Sequence, residues 1–84
     1  MVYIIGNWKM NKTRLDALDF SEKLSSFITE NKFINSHISI AASSIHLPLL
    51  YHKKLPFNLV SQNISFANHG AYTGEVSAAM VGEY

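Results

Sequence analysis

Apolar positions along the chain follow two alternating periodicities. Val2 to Gly6 is an apolar, β-branched run of strand length, and a buried strand accounts for such a run best. Side chains alternate along a strand, so residues 3, 5, 7 and 9 share one face. Asn7 and Lys9 are then expected beside Ile5 at the strand's carboxyl end, with Trp8 packing on the opposite side. From Thr13 the spacing becomes helical. Leu15, Leu18, Leu24, Phe27 and Ile28 recur near helical spacing, and Arg14, Asp19, Glu22 and Lys23 fall elsewhere. Thr13 with Asp16 three residues on resembles a capping box with a shortened acid, and the helix is expected to end near Asn31. Residues 37–42 predict a second strand. Ser43 or Ser44 then caps a second helix running to about Lys54, with a late or irregular start because Pro48 lacks an N–H. Phe57 to Gln62 predicts a third strand, residues 63–76 a long loop holding Gly70 and Gly74, and Ser77 caps a short last helix, Ala78 to Val81.

The order is β-α-β-α-β-loop-α, which implies α/β architecture with parallel strands joined by helical crossovers. Three strands of this kind form either a small open sheet or part of a larger α/β structure. The chain has 84 residues, 48% of them hydrophobic and 15% charged. That length allows one small domain with a thin core, and the apolar content is too high for a disordered chain. The absence of cysteine excludes disulfides and thiolate chemistry. A net charge of +1 provides no strong field for nucleic acid or acidic membranes. No stretch approaches the roughly 20 apolar residues of a membrane span. The first residues lack a basic leader, so a cytoplasmic location without a targeting signal is the expectation.

Two segments are placed to carry chemistry. Lys9 lies at the carboxyl end of a strand, where parallel α/β proteins bind ligands. A lysine there is a movable positive charge suited to a phosphate or a developing oxyanion. Asn7, two residues earlier, can fix that lysine and donate to a substrate oxygen. A solvated lysine at a strand end is the simpler alternative. The loop from Gln62 to Ser77 is long enough to be functional or a docking element, with Tyr72, Thr73 and Glu75 near its tip. His37, His46, His52 and His69 show no metal-ligand spacing and read as surface or loop residues, so no metal is expected.

Taken together, Asn7-Trp8-Lys9-Met10-Asn11, then Gln62-Asn63, then Gly70-Ala71-Tyr72-Thr73-Gly74-Glu75-Val76-Ser77-Ala78-Ala79-Met80 resemble triosephosphate isomerase in order and spacing over the whole chain. The resemblance implies a partial TIM (β/α)8 barrel: residues 1–84 as its first three parallel strands with intervening helices, an N-terminal third with no second domain. It implies cofactor-free interconversion of dihydroxyacetone phosphate and glyceraldehyde 3-phosphate in glycolysis and gluconeogenesis. Lys9 would bind the substrate and stabilise negative charge on the enediolate and phosphate. Asn7 would orient Lys9 and contact the substrate. The long loop would insert into a second subunit of a homodimer, with Thr73 reaching the partner's active site. Glu75 would make a polar contact across that interface, and Met10 and Gly74 would lie at the inserted tip. Gln62 and Asn63 would help hold the loop at the end of the third strand.

Two departures from the family stand out in composition. Ala41-Ala42-Ser43-Ser44 occupies a place where proline is common, and Ala78 replaces a proline frequent after the serine. Both loosen helix entries without removing a chemical group. A third departure bears on activity. The family, a standard illustration of tuned acid–base groups, uses a glutamate base, a neutral histidine electrophile and a closing loop, all beyond the third strand. Glu22, Glu30, Glu75 and Glu83 do not match that base, so residues 1–84 alone are expected to be inactive. Two other readings remain: one part of a split barrel completed by a separate segment, or a non-catalytic interaction module that docks through the loop.

Overall fold

The computed structural model describes residues 1–32 and 36–84. Strand β1 spans Val2–Asn7, helix α1 Arg14–Asn31 and strand β2 Ser36–Ala42. A turn of 3-10 helix at Ser44–His46 leads into helix α2, Leu47–Tyr51, followed by strand β3, Asn58–Ser61, and helix α3, Ala78–Val81. The strands form one parallel sheet in the order β1-β2-β3. Parallel neighbours joined through helices are the opening units of a (β/α)8 barrel, here with the sheet open.

Local chemistry explains most boundaries. The Thr13 hydroxyl accepts from the Asp16 backbone N–H at 3.4 Å, and the Asp16 carboxylate accepts from the Thr13 N–H at 3.2 Å, a complete capping box. Helix α1 closes where Lys32 turns left-handed, with φ 48° and its N–H donating to the Ile28 carbonyl. Pro48 sits in the first turn of α2, where its missing N–H costs nothing. The chain therefore starts that helix through the 3-10 turn, and neither Ser43 nor Ser44 caps it with a side-chain hydrogen bond. The helix also stops at Tyr51, short of the expected Lys54. Ser77 caps α3 as expected, its hydroxyl accepting from the Met80 N–H at 3.1 Å.

The core lies on one face of the sheet. Ile40 and Ala42 of β2 pack with Ala17 and Ile28 of α1, Leu47 and Leu50 of α2, Trp8 and Phe57. Gly6 pairs with Ile40 in register, and a Cβ on Gly6 would stand 3.1 Å from the Ile40 Cδ1, so the small residue lets the isoleucine fold across β1. The opposite face is exposed along β1, though Ala41 of β2 is buried there between its neighbours. Tyr3 and Ile5 are 71% and 67% exposed, and Val2 and Ile4 on the other face are exposed as well, which corrects the expectation of a buried first strand: β1 lies at the edge of the open sheet, and no neighbour pairs its outer edge among the described residues. The stripe on α1 also differs in part from expectation. Ile28 is buried and Leu24 packs against the core as the spacing predicts, but Ala17 and Ser21 are buried beside them, whereas Leu15 and Phe27 are exposed.

Candidate functional site

The carboxyl ends of the three strands meet at one edge of the sheet. Register pairs Asn7 with Ala41, and Ala42 with Ser61, which Gln62 follows directly. Strand β1 stops at Asn7, so Lys9 does not continue its face as the alternation predicted. Instead Lys9 adopts a left-handed backbone, φ 55°, a conformation that costs an L-residue roughly 1–2 kcal/mol. Local hydrogen bonds compensate. The Asn7 Oδ1 accepts from the Lys9 backbone N–H at 2.8 Å. The Gln62 Nε2 lies 2.9 Å from the Lys9 carbonyl, 3.0 Å from the Ala41 carbonyl and 3.3 Å from the Asn7 Oδ1. One amide thus ties the ends of β1, β2 and β3 around Lys9, sharing two protons among three acceptors.

A second set of contacts holds the rest of the turn. Lys12 is also left-handed, φ 81°. Its ammonium lies 4.7 Å from the Phe20 ring centroid and 5.7 Å from that of Trp8, within cation–π range. Trp8 is buried and packs edge-on against Phe20, as its packing role required. The Trp8 backbone N–H donates to the Ala41 carbonyl at 3.0 Å, and the Asn11 side-chain amide donates to the Trp8 carbonyl at 2.8 Å. From the start of α2, the Ser43 hydroxyl donates to the Lys9 carbonyl at 3.4 Å. His46 Nε2 lies 2.8 Å from the Lys12 carbonyl.

Sequence reasoning missed three of these residues. Ser43 lies in the Ala41–Ser44 stretch where proline is common in the family, and it supplies a hydroxyl contact that a proline could not. His46 is 4% exposed, not a surface residue, while His37, His52 and His69 are exposed. Its only signal in the sequence is an apolar setting, Ile45-His46-Leu47. Lys12 in a left-handed turn had no signal at all. Among the described residues no group of three or more His, Asp or Glu converges to hold a metal ion.

The loop residues lie apart from this cluster. The Ser65 N–H donates to the Val76 carbonyl at 2.8 Å and closes the loop at its base. At the tip, the Glu75 N–H donates to the Tyr72 carbonyl at 3.1 Å, and Gly74 supplies the positive φ of 85° at the third turn position. Phe66 and Tyr72 pack edge to face, with centroids 5.5 Å apart. Thr73 and Glu75 are exposed, Phe66 is 91% exposed and Met10 95%. Two clefts lie elsewhere: one of about 250 Å³ between α2 and β3, and one of about 890 Å³ along α1 beside Lys53 and Lys54. Neither is lined by Asn7, Lys9 or Gln62. The Lys9 end is an open platform that can offer positive charge and amide groups to an anionic molecule.

The model of the triosephosphate isomerase family matches residues 2–84. The triosephosphate isomerase of Helicobacter hepaticus is 32% identical over 84 residues, covering 100% of this chain and 35% of that protein. That of Mesomycoplasma hyorhinis is 38% identical over 81 residues, covering 93% of this chain and 33% of that protein. That of Mesomycoplasma hyopneumoniae strain 232 is 43% identical over 84 residues, with 93% and 34% coverage. The chain spans about a third of the length of the curated relatives it matches. With a parallel βα arrangement and a match over nearly every residue, the chain belongs to the triosephosphate isomerase family.

Proposed function

We propose that residues 1–84 supply the charge-stabilising edge of a triosephosphate isomerase, a cytoplasmic enzyme of glycolysis and gluconeogenesis that interconverts dihydroxyacetone phosphate and glyceraldehyde 3-phosphate. The observation that carries this reading is the Asn7–Lys9–Gln62 cluster at the strand ends. A lysine held there binds a phosphate and offsets the negative charge of an enediolate. Asn7 positions Lys9 through its backbone N–H and offers its amide to a substrate oxygen. A proton must also leave a substrate carbon, and the base must come within hydrogen-bond reach of it. Glu22 and Glu30 line the cleft along α1, Glu75 lies in the loop and Glu83 follows α3. None of these matches the family's glutamate base, so in this reading the base comes from barrel segments other than residues 1–84, carried on this or another polypeptide. These 84 residues alone do not turn over substrate.

The same reading gives the loop a second copy as its partner. Met10, Thr73, Gly74 and Glu75 meet the other subunit of a homodimer. Exposure of Met10 and of the loop tip is what such a contact requires.

A hybrid tests the reading. Residues 1–84 replace the matching segment of the Mesomycoplasma hyopneumoniae relative, and isomerase turnover is assayed. Turnover that vanishes with Lys9→Ala in a folded hybrid supports it, and a folded Lys9→Ala hybrid that keeps full turnover refutes it. The double variant Thr73→Ala, Glu75→Ala should shift the hybrid from dimer to monomer in sedimentation. Unchanged dimerisation removes the loop from the interface.

A further inference from the structure

We infer that His46 is a positioning residue for Lys9, acting through the backbone of Lys12, an inference that rests on the proposed isomerase role. The five-residue turn Trp8–Lys12 contains two left-handed L-residues, Lys9 at φ 55° and Lys12 at φ 81°. Each is disfavoured by itself, and conformations of this kind persist only where surrounding groups over-determine them. Lys9 has its own clamp in Asn7 and Gln62. Lys12 has a different one. The carbonyl that follows its strained φ accepts from His46 Nε2 at 2.8 Å, across 34 residues of sequence. A carbonyl can only accept, so Nε2 carries a proton.

The histidine sits on the 3-10 turn after β2 and is 4% exposed. It is therefore fixed to the core, and the Lys12 carbonyl is fixed to it. Release of that carbonyl lets Lys12 return to a negative φ, and the peptides of the turn then pull against the Asn7 and Gln62 contacts that hold Lys9 at the strand ends. Misplacement of a charged group by about 1 Å can cost on the order of a hundredfold in rate.

Two variants separate donation from packing. His46→Leu fills the site without a donor, and His46→Gln restores an amide donor in place of Nε2–H. In the hybrid described above, His46→Leu should lower kcat/KM about tenfold or more, with the circular dichroism of the folded barrel retained, and His46→Gln should recover most of it. Equal loss in both variants, or no loss in His46→Leu, overturns the inference. A hybrid whose turnover ignores Lys9→Ala overturns the isomerase reading instead. The hybrid gives a second, structural measurement. Its Lys9 amide resonance should shift in His46→Leu and return in His46→Gln, and a Lys9 resonance that stays put in His46→Leu also refutes the coupling.

Discussion

Gln62 shows how much a single side chain can organise. Its Nε2 reaches carbonyls at the ends of β1 and β2 while its backbone leaves β3. Gln62→Leu should remove one net hydrogen bond's worth of order, about 1 kcal/mol, and speed amide exchange at Trp8 and Lys9 roughly fivefold. Exchange measured by NMR checks this, and unaltered protection at both amides would show that the sheet alone holds the turn. The two loop glycines differ in a readable way. Both have positive φ, Gly70 at 137° and Gly74 at 85°. A Cβ on Gly70 would stand 2.8 Å from the Tyr72 ring, whereas one on Gly74 meets nothing within 4 Å. Asn7 and Lys9 were legible as a candidate pair because strand-end chemistry is local. The left-handed φ of Lys9 and the approach of Gln62 were not. The first depends on hydrogen bonds formed only in the fold, and the second on a register between residues 53 to 55 positions apart.

At the scale of elements, α1 and α2 differ in what holds them. Helix α1 is 18 residues long and owes its start to a local device. The hydrogen bonds from Thr13 hold the Asp16 carboxyl below its ordinary value of 3.8. A depressed folded value means that the contribution is present in full above the unfolded value and is lost as pH falls through the folded one. Helix content at α1 should therefore decline as pH drops below about 3.8, and Thr13→Ala, which removes the hydroxyl but keeps the backbone N–H to the Asp16 carboxylate, should lessen that acid-side loss while lowering α1 content at neutral pH. Circular dichroism titration of the two chains makes the comparison. If Thr13→Ala loses the same helix content between neutral and acid pH as the parent, the cap is not responsible.

Helix α2 has no side-chain cap and depends on packing. Leu50 is fully buried, so Leu50→Ala should cost about 2–5 kcal/mol. The exposed Leu15 should cost within about 0.5 kcal/mol when replaced by alanine. Exchange protection across β2, which both helices flank, measures each. Comparable losses in the two variants would contradict the burial pattern. Helix and strand existence was legible here from periodicity, capping and proline placement. The face of α1 was legible only in part: Leu24 and Ile28 face the core as the spacing predicts, but the stripe left out Ala17 and Ser21 and included the exposed Leu15 and Phe27.

For the whole molecule, surface and size point the same way. The accessible surface is 6342 Å², against about 5,000 Å² for a compact monomer of this mass. The radius of gyration is 13.9 Å, where a compact chain of this length gives about 12 Å. The excess follows from the sheet. β1 and β3 each leave one edge unpaired among the described residues, and Tyr3, Ile5 and Val60 stand exposed on the face away from the helices. Unpaired edges next to apolar faces invite pairing with another chain. The alternation of strands and helices announced a parallel sheet, but no residue in it reports closure, which is a property of strand number rather than of local pattern. The 84-residue chain by itself should therefore change mean size with concentration in the micromolar range and unfold over a broad temperature interval. Sedimentation velocity at several concentrations and calorimetry test both. The hybrid barrel, whose added strands cover the same edges, should sediment as one species and unfold sharply. A concentration-independent monomer of residues 1–84 with a sharp calorimetric transition would mean that one covered face is enough to make this piece a cooperative unit.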